Sequence, residues 1–222
     1  MDANVKLQNL RRRLAEIHVT GIKDLVPTYR SLSIHHDPIK LPRAKLETIV
    51  SGAMEDLGEG GAPEKRVLVM PVAYGGEFGP DMANVAEYTK LGENEIIKRH
   101  TERDYYCYML GFTPGFSYLG GLDESLATPR LKTPRTLIPA GSVGIAGNQT
   151  GAYSIDSPGG WQLIGRTPLR LFDPRSSDNP TLTDAGEWIR FRNITKDEFE
   201  AIKRLVDDGT YKPERLAERG GG

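Results

Sequence analysis

Between Gly111 and Thr167 the chain gathers side chains able to bind an anion or an amide, set among glycines and prolines that let the backbone turn sharply. Arg130, Arg135, Arg166 and, just beyond, Arg170 carry fixed charge on forked donors whose geometry suits phosphate or carboxylate. Gln149 and Gln162 can each give and accept a hydrogen bond, as recognition of an amide requires. The same stretch has a plainer reading, in which the glycines make tight turns and the arginines solvate a barrel rim. His100 lies beside it at the expected end of a helix. The dipole there favours the charged ring while leaving it near physiological titration, so His100 can serve as acid or base; the competing role is to satisfy the last helical carbonyls.

Other chemistry is poorly supported. The segment Gly58 to Lys65 lacks the Gly-Lys-Ser/Thr ending of a phosphate loop and reads as a linker. Gly75-Gly76-Glu77-Phe78-Gly79 has the wrong glycine spacing for a dinucleotide turn. Ser117, Ser142 and Ser157 all lie in Gly/Pro-rich turns and not in a nucleophile elbow. Cys107, enclosed by Tyr105, Tyr106, Tyr108 and Met109, reads as a buried strand residue. His35 and His36 are adjacent on an extended stretch, so their rings point to opposite faces and cannot chelate one metal; no metal site is expected.

These groups need elements to hold them. Leu7, Leu10, Leu14 and Ile17 recur at helical spacing, with Arg11 to Arg13 as a solvated face. Thr28 to His36 is extended, and a second helix spans Pro42 to Leu57. A domain boundary falls in Gly58 to Pro63. Arg66 to Val72 is apolar at nearly every position, as in a strand buried on both faces. Two short helices follow, Met82 to Lys90 and Asn94 to His100, separated by a helix-ending Gly92. From Tyr105 to Asp173 short apolar runs alternate with turn residues, the pattern of a compact barrel or sandwich. Trp188 to Ile194 alternates as a half-buried strand. Thr195 and Glu198 then cap a last helix, stopped at Gly209, and Leu216 to Gly222 is expected to fray.

Composition narrows the functional classes. With 222 residues and 38% apolar content, the chain can build one large or two small domains. The 29 basic and 30 acidic side chains nearly cancel, so no global field draws it to nucleic acid or an anionic membrane. No apolar run approaches a spanning helix, the start is too polar for a signal peptide, and the single cysteine forms no internal disulfide. A cytoplasmic location is expected.

The blocks Gly111-Phe112-Thr113-Pro114-Gly115-Phe116-Ser117-Tyr118-Leu119-Gly120, Ala127-Thr128-Pro129-Arg130, Thr133-Pro134-Arg135, Pro139 to Gly147, Gln149-Thr150-Gly151 and Ser157-Pro158-Gly159-Gly160-Trp161 carry a resemblance. In this order they resemble the B-subunit family of 5-oxoprolinase, which includes allophanate hydrolase subunit 1 and a Kip-type inhibitor of a sporulation histidine kinase. Tyr74 to Asp81 and His100, with Pro27-Thr28-Tyr29 and Asp37-Pro38 upstream, fit as well. Relatives carry an extra strand before the first helix that is missing here, so the small N-terminal sheet is expected to be incomplete or to start upstream.

The resemblance implies an α+β protein: a small N-terminal α/β domain over residues 1–65, then a cyclophilin-like β-barrel with a C-terminal helix over 66–212, with 213–222 a flexible tail. It implies a partner resembling the C-subunit of the same enzyme and a further subunit, which together hydrolyse 5-oxo-L-proline to L-glutamate with ATP, the nucleotide and its Mg shared with the partner. A five-membered lactam is a poor electrophile, and phosphorylating its oxygen makes a good leaving group, provided positive charge surrounds the phosphoryl group. On this reading Arg130 and Arg135 contact phosphate or the substrate carboxylate, Gln149 orients the amide and His100 moves a proton. Arg166, Gln162 and Ser142 are further substrate or phosphate contacts. Two alternatives remain: an allophanate/urea carboxyltransferase-type subunit fed by a biotin carrier, and a binding module that inhibits a sensor histidine kinase.

Overall fold

The computed structural model describes residues 2–57, 64–176 and 179–218. The chain divides into two compact units between Glu64 and Lys65. The linker expected over Gly58 to Pro63 lies outside the described residues.

The first unit contains α1 (Asp2–Glu16), β1 (Ile22–Pro27), β2 (Leu32–His36) and α2 (Arg43–Glu55). The two strands pair antiparallel, and the helices meet over Leu10, Leu14 and Ala53, with Leu25, Ile34 and Ile49 packed alongside. Ile17, expected on the inward stripe, is 40% exposed because α1 ends one residue earlier. Asn4 and Gln8 take up the inward face of the first turns instead, and Asn4 ties the helix to the β1–β2 turn by donating from Nδ2 to the Thr28 carbonyl (2.7 Å).

The second unit runs β3 (Lys65–Tyr74), α3 (Met82–Thr89), α4 (Glu93–Thr101), β4 (Asp104–Leu110), β5 (Ser117–Gly120), a 3-10 turn at Glu124–Leu126, β6 (Arg135–Ile138), β7 (Ser142–Ala146), β8 (Gln149–Ala152), β9 (Ser157–Gly159), β10 (Gln162–Arg166), β11 (Trp188–Asn193), α5 (Lys196–Asp207) and β12 (Arg215–Glu218). Seven strands close a barrel in the order β10-β7-β8-β5-β4-β11-β3, with β3 pairing back onto β10. Closure satisfies the strand edges that an open sheet would expose. Inside lie Leu68, Met70, Val72, Tyr105, Cys107, Val143, Ile145 and Phe191, so the apolar run of β3 faces a true interior. Burial pushes the Cys107 thiol up to about 12, which keeps it protonated and inert.

One edge of β3 is shared by two partners. Its first half pairs with β12 and its last residues with β10. The Val69 N–H points to this edge and donates to the Glu214 carbonyl (3.0 Å), so the nitrogen of Pro71, two residues on, faces the gap where no donor is needed. The strand β12 corrects the expectation of a flexible tail over 213–222. Residues 215–218 add an outer strand to β3, and Arg215 anchors them to the Glu187 carboxylate (3.2 Å); residues 219–222 lie outside the described residues.

Helix punctuation differs from expectation at one place. Lys90 takes the left-handed conformation that ends α3 (φ 61°), while Gly92 is extended and opens α4. At α5 the cap is the expected one: the Thr195 hydroxyl accepts from the Glu198 N–H (3.2 Å), although the Glu198 carboxylate turns to Arg192 (2.8 Å).

Candidate functional site

Strand alternation gives the barrel wall two different faces. Val143, Ile145, Thr150 and Ala152 point inward, whereas Ala146, Tyr153, Trp161 and Leu163 belong to a second apolar layer on the outside, with Phe116 and Ile138. A two-stranded flap, β6 paired with β9, covers part of this layer. The aromatic rings meet edge to face: Phe116 lies 5.5 Å from Tyr153 and 5.6 Å from Trp161, centroid to centroid.

Beside the flap the layer opens into a groove of about 340 Å³, walled by Phe112, Phe116, Tyr118, Tyr153 and Trp161, floored by Gly159 and Gly160, with Arg130 at its rim. Two glycines let the rings come so close. A β-carbon on Gly159 would stand 2.3 Å from the Tyr153 hydroxyl, and one on Gly151 would stand 3.3 Å from the Phe116 ring. Burial raises the Tyr153 phenol to about 12, so it stays protonated; Arg130, Arg135 and the Trp161 backbone oppose that rise.

The expected site residues are only partly brought together. Arg130 is exposed at the groove and makes no ion pair among the described residues. Arg135 stands across the flap from Gly159, but its guanidinium is engaged: Nη2 donates to Asp81 Oδ1 (2.7 Å), and Asp81 Oδ2 accepts from the Leu163 N–H (2.7 Å). Asp81 is 3% exposed and caps no helix with its side chain; with Arg135 it latches the flap to the start of α3 and to β10. Arg135 Nη1 is buried without a hydrogen-bond partner. Gln149 shares the outer face of β8 with Gly151, along the strand from Tyr153. Ser142 and Arg166 form a cross-strand pair elsewhere on the wall, and Arg166 Nε donates to the Ala140 carbonyl (3.1 Å). Gln162 is buried with its Nε2 on the Pro129 carbonyl (2.9 Å), while its Oε1 has no partner. Arg170 belongs to a different surface, paired with Asp173 (3.2 Å).

His100 requires correction as a proton carrier. Its ring is fully buried inside the barrel, stacked 4.5 Å from Phe191. The Thr150 hydroxyl spends its one proton on the Gly144 carbonyl (3.1 Å), so His100 Nε2 must donate to Thr150 (2.7 Å) and Nδ1 must accept from the Tyr74 hydroxyl (2.7 Å). Every polar atom of the ring is used by the neutral form. Burial lowers its pKa to about 3, and a helix-end dipole cannot offset desolvation of this size. Its partners are side chains of β3 and β8, not the terminal carbonyls of α4.

The groove walls are not among the charged and amide groups that the sequence singles out. Phe112, Phe116 and Trp161 belong to the blocks Gly111–Gly120 and Ser157–Trp161, and the signal they leave in the sequence is a set of aromatics supplied among glycines by separate stretches.

The family described as carboxyltransferase domain, subdomain C and D, matches residues 1–183. A Bacillus subtilis relative, named as the B-subunit of 5-oxoprolinase, is 42% identical over 193 residues, covering 82% of this chain and 80% of its own. The chain belongs to the 5-oxoprolinase B-subunit family. A second member, from Escherichia coli O157:H7, is 53% identical over 129 residues, covering 58% of this chain and 59% of its own. Among solved structures, TTHA0988 superposes with a TM-score of 0.77 at 34% identity; this chain is 87% covered and spans only 37% of that protein. The Kluyveromyces lactis urea amidolyase, at 20% identity and a TM-score of 0.72, shares the fold, and the chain spans 15% of it. Among the described residues no helix is long and apolar enough to cross a membrane.

Proposed function

We propose that this chain acts as the B-subunit of a 5-oxoprolinase, binding 5-oxo-L-proline for hydrolysis to L-glutamate in concert with a C-subunit-like partner and a further subunit. The observation that carries the reading is the groove: flat aromatic walls beside a guanidinium without an ion pair match a small ring bearing a carboxylate. Family membership supports the same substrate class.

The chemistry that follows binding is divided between chains. Among the described residues the groove lining holds no carboxylate, histidine or cysteine, so this chain orients the ring and excludes water, and the partner brings the attacking and proton-moving groups. ATP coupling is proposed on the chemistry of the lactam. Among the described residues no group of three or more acidic, histidine or cysteine side chains could hold a metal ion by itself, so Mg would arrive on the nucleotide phosphates and share its remaining ligands with the partner. Arg130 is the group this chain offers to an anion, and Arg135 serves as a latch.

The test is glutamate release from 5-oxo-L-proline by the chain alone, with the C-subunit-like partner, and with the full subunit set. Activity confined to the full set supports the proposal; silence in every combination refutes it. Arg130→Ala in the full set is expected to raise KM about 10- to 100-fold, the loss of one charge-assisted hydrogen bond. An unchanged KM would remove Arg130 from the site.

A carboxyltransferase role is the second reading, favoured by 35% identity over 221 residues to a Saccharomyces cerevisiae urea amidolyase, of which the chain covers 12%. It requires carboxyl transfer from a biotinylated carrier, and its assay is separate from glutamate release.

A further inference from the structure

The β4–β5 hairpin ends in a conformation that its sequence does not favour. Phe112 lies in the left-handed region (φ 64°), where a bulky aromatic is a genuine outlier. The Thr113 N–H donates to the Gly111 carbonyl (2.7 Å), closing a three-residue turn about Phe112. A positive φ at the centre of such a turn marks the rarer and more strained of the two γ-turn forms.

The rest of the hairpin does not ask for a phenylalanine there. Gly115, three residues on, also has positive φ (79°), and there the chain uses the residue the geometry prefers. Lys90, also left-handed, ends a helix, a role Phe112 does not have. The turn is held from several sides: Gly111 N–H donates to the Phe116 carbonyl (3.1 Å), Phe116 N–H donates to the Thr113 carbonyl (3.1 Å), and the Thr113 and Ser154 hydroxyls meet at 3.2 Å. Strain of this kind persists where surroundings over-determine it, and such outliers concentrate at ligand clamps.

The strained turn sets the Phe112 ring at the groove. The ring is 60% exposed, lines the opening, and stands roughly perpendicular to the rings of Phe116 (5.6 Å) and Tyr153 (6.4 Å). We infer that Phe112 is a specificity-determining contact for the ring of the bound cyclic amide, held over the groove by the strained turn so that ligand binding buries its free face. The inference rests on the 5-oxoprolinase reading for the identity of that ligand.

Replacing the ring by glycine separates the two consequences. Phe112→Gly relieves the backbone and removes the contact; Phe112→Ala removes the contact and keeps the strain. The Gly variant is expected to melt about 2–4 °C above the Ala variant, since a β-carbon in the left-handed region is unfavourable. In the full subunit set both variants should raise KM for 5-oxo-L-proline about tenfold with kcat within about twofold, and Phe112→Tyr should restore KM to within about threefold of wild type. A structural role alone would lower stability in both variants and leave KM unmoved, which overturns the inference. So does loss of subunit assembly with unchanged KM in the complex that remains, which would assign the ring to the partner interface. If wild-type protein in the full set does not turn over 5-oxo-L-proline, the functional reading fails and the ligand named here falls with it; turnover by wild type with unmoved KM in the variants fails the Phe112 assignment alone.

Discussion

Replacing His100 by glutamine is expected to flatten the acid limb of the unfolding curve and to leave turnover at pH 8 within about threefold of wild type. In the folded chain the ring titrates near 3, against about 6.5 when unfolded. Between those values the unfolded state binds a proton that the folded state refuses, so stability rises with pH. The contribution is therefore complete above about pH 6.5 and is lost as pH falls toward 3, on the order of 4 kcal/mol over the window. Glutamine offers one donor and one acceptor for Thr150 and Tyr74 but has no proton to gain. Urea midpoints measured from pH 4 to 8 for both proteins isolate the His100 component from the carboxylates. His100→Ala leaves the Tyr74 and Thr150 hydroxyls buried without the ring and opens a cavity, at a cost of about 3–5 kcal/mol. Loss of kcat in a stable, folded glutamine variant would restore His100 to the chemistry.

Adding one carbon at Gly159 is expected to close the groove. The β-carbon of Gly159→Ala would meet the Tyr153 hydroxyl at 2.3 Å and Ile138 Cδ1 at 2.8 Å, distances that force a neighbour to move. Tyr153 is packed against Phe116 and Trp161, so its displacement carries the groove walls with it. The variant should lose about 2–3 kcal/mol of stability by overpacking and at least about 100-fold in kcat/KM, because a site displaced by an ångström loses its orientation. Adding Tyr153→Phe removes the oxygen and leaves the next ring atom at 3.0 Å, so the double variant should regain part of the stability but not the activity. Equal stability of Gly159→Ala and wild type would show that the flap yields freely, contrary to tight packing.

Much of this fold is legible along the chain because local pattern and final environment agree. The apolar run of β3, the alternation of Ile189 and Phe191, and the Thr195 cap all appear as read. The features that are not legible depend on contacts distant in sequence. The strand β1, Ile22–Pro27, is half exposed and has no strict alternation, and β12 is only four residues long and is a strand because it adds to the outside of β3. Barrel closure through β3 and β10 joins residues about 90 apart and leaves no local mark. Arg130 and the glycine-rich blocks that line the groove stand out along the chain, whereas nothing local marks the burial of His100. Its environment is made by Tyr74, Thr150 and Phe191, residues that no spacing rule places around it. Arg135 presents the same difficulty, since a carboxylate 54 positions away takes the guanidinium.

The most direct test is a crystal structure of the assembled subunits grown with 5-oxo-L-proline. The expected result is the lactam ring between the aromatic walls of Phe116, Tyr153 and Trp161, with its carboxylate about 2.8 Å from the Arg130 guanidinium. Ligand bound at full occupancy elsewhere in the assembly, with this groove filled by a partner's side chain or by water, would contradict it.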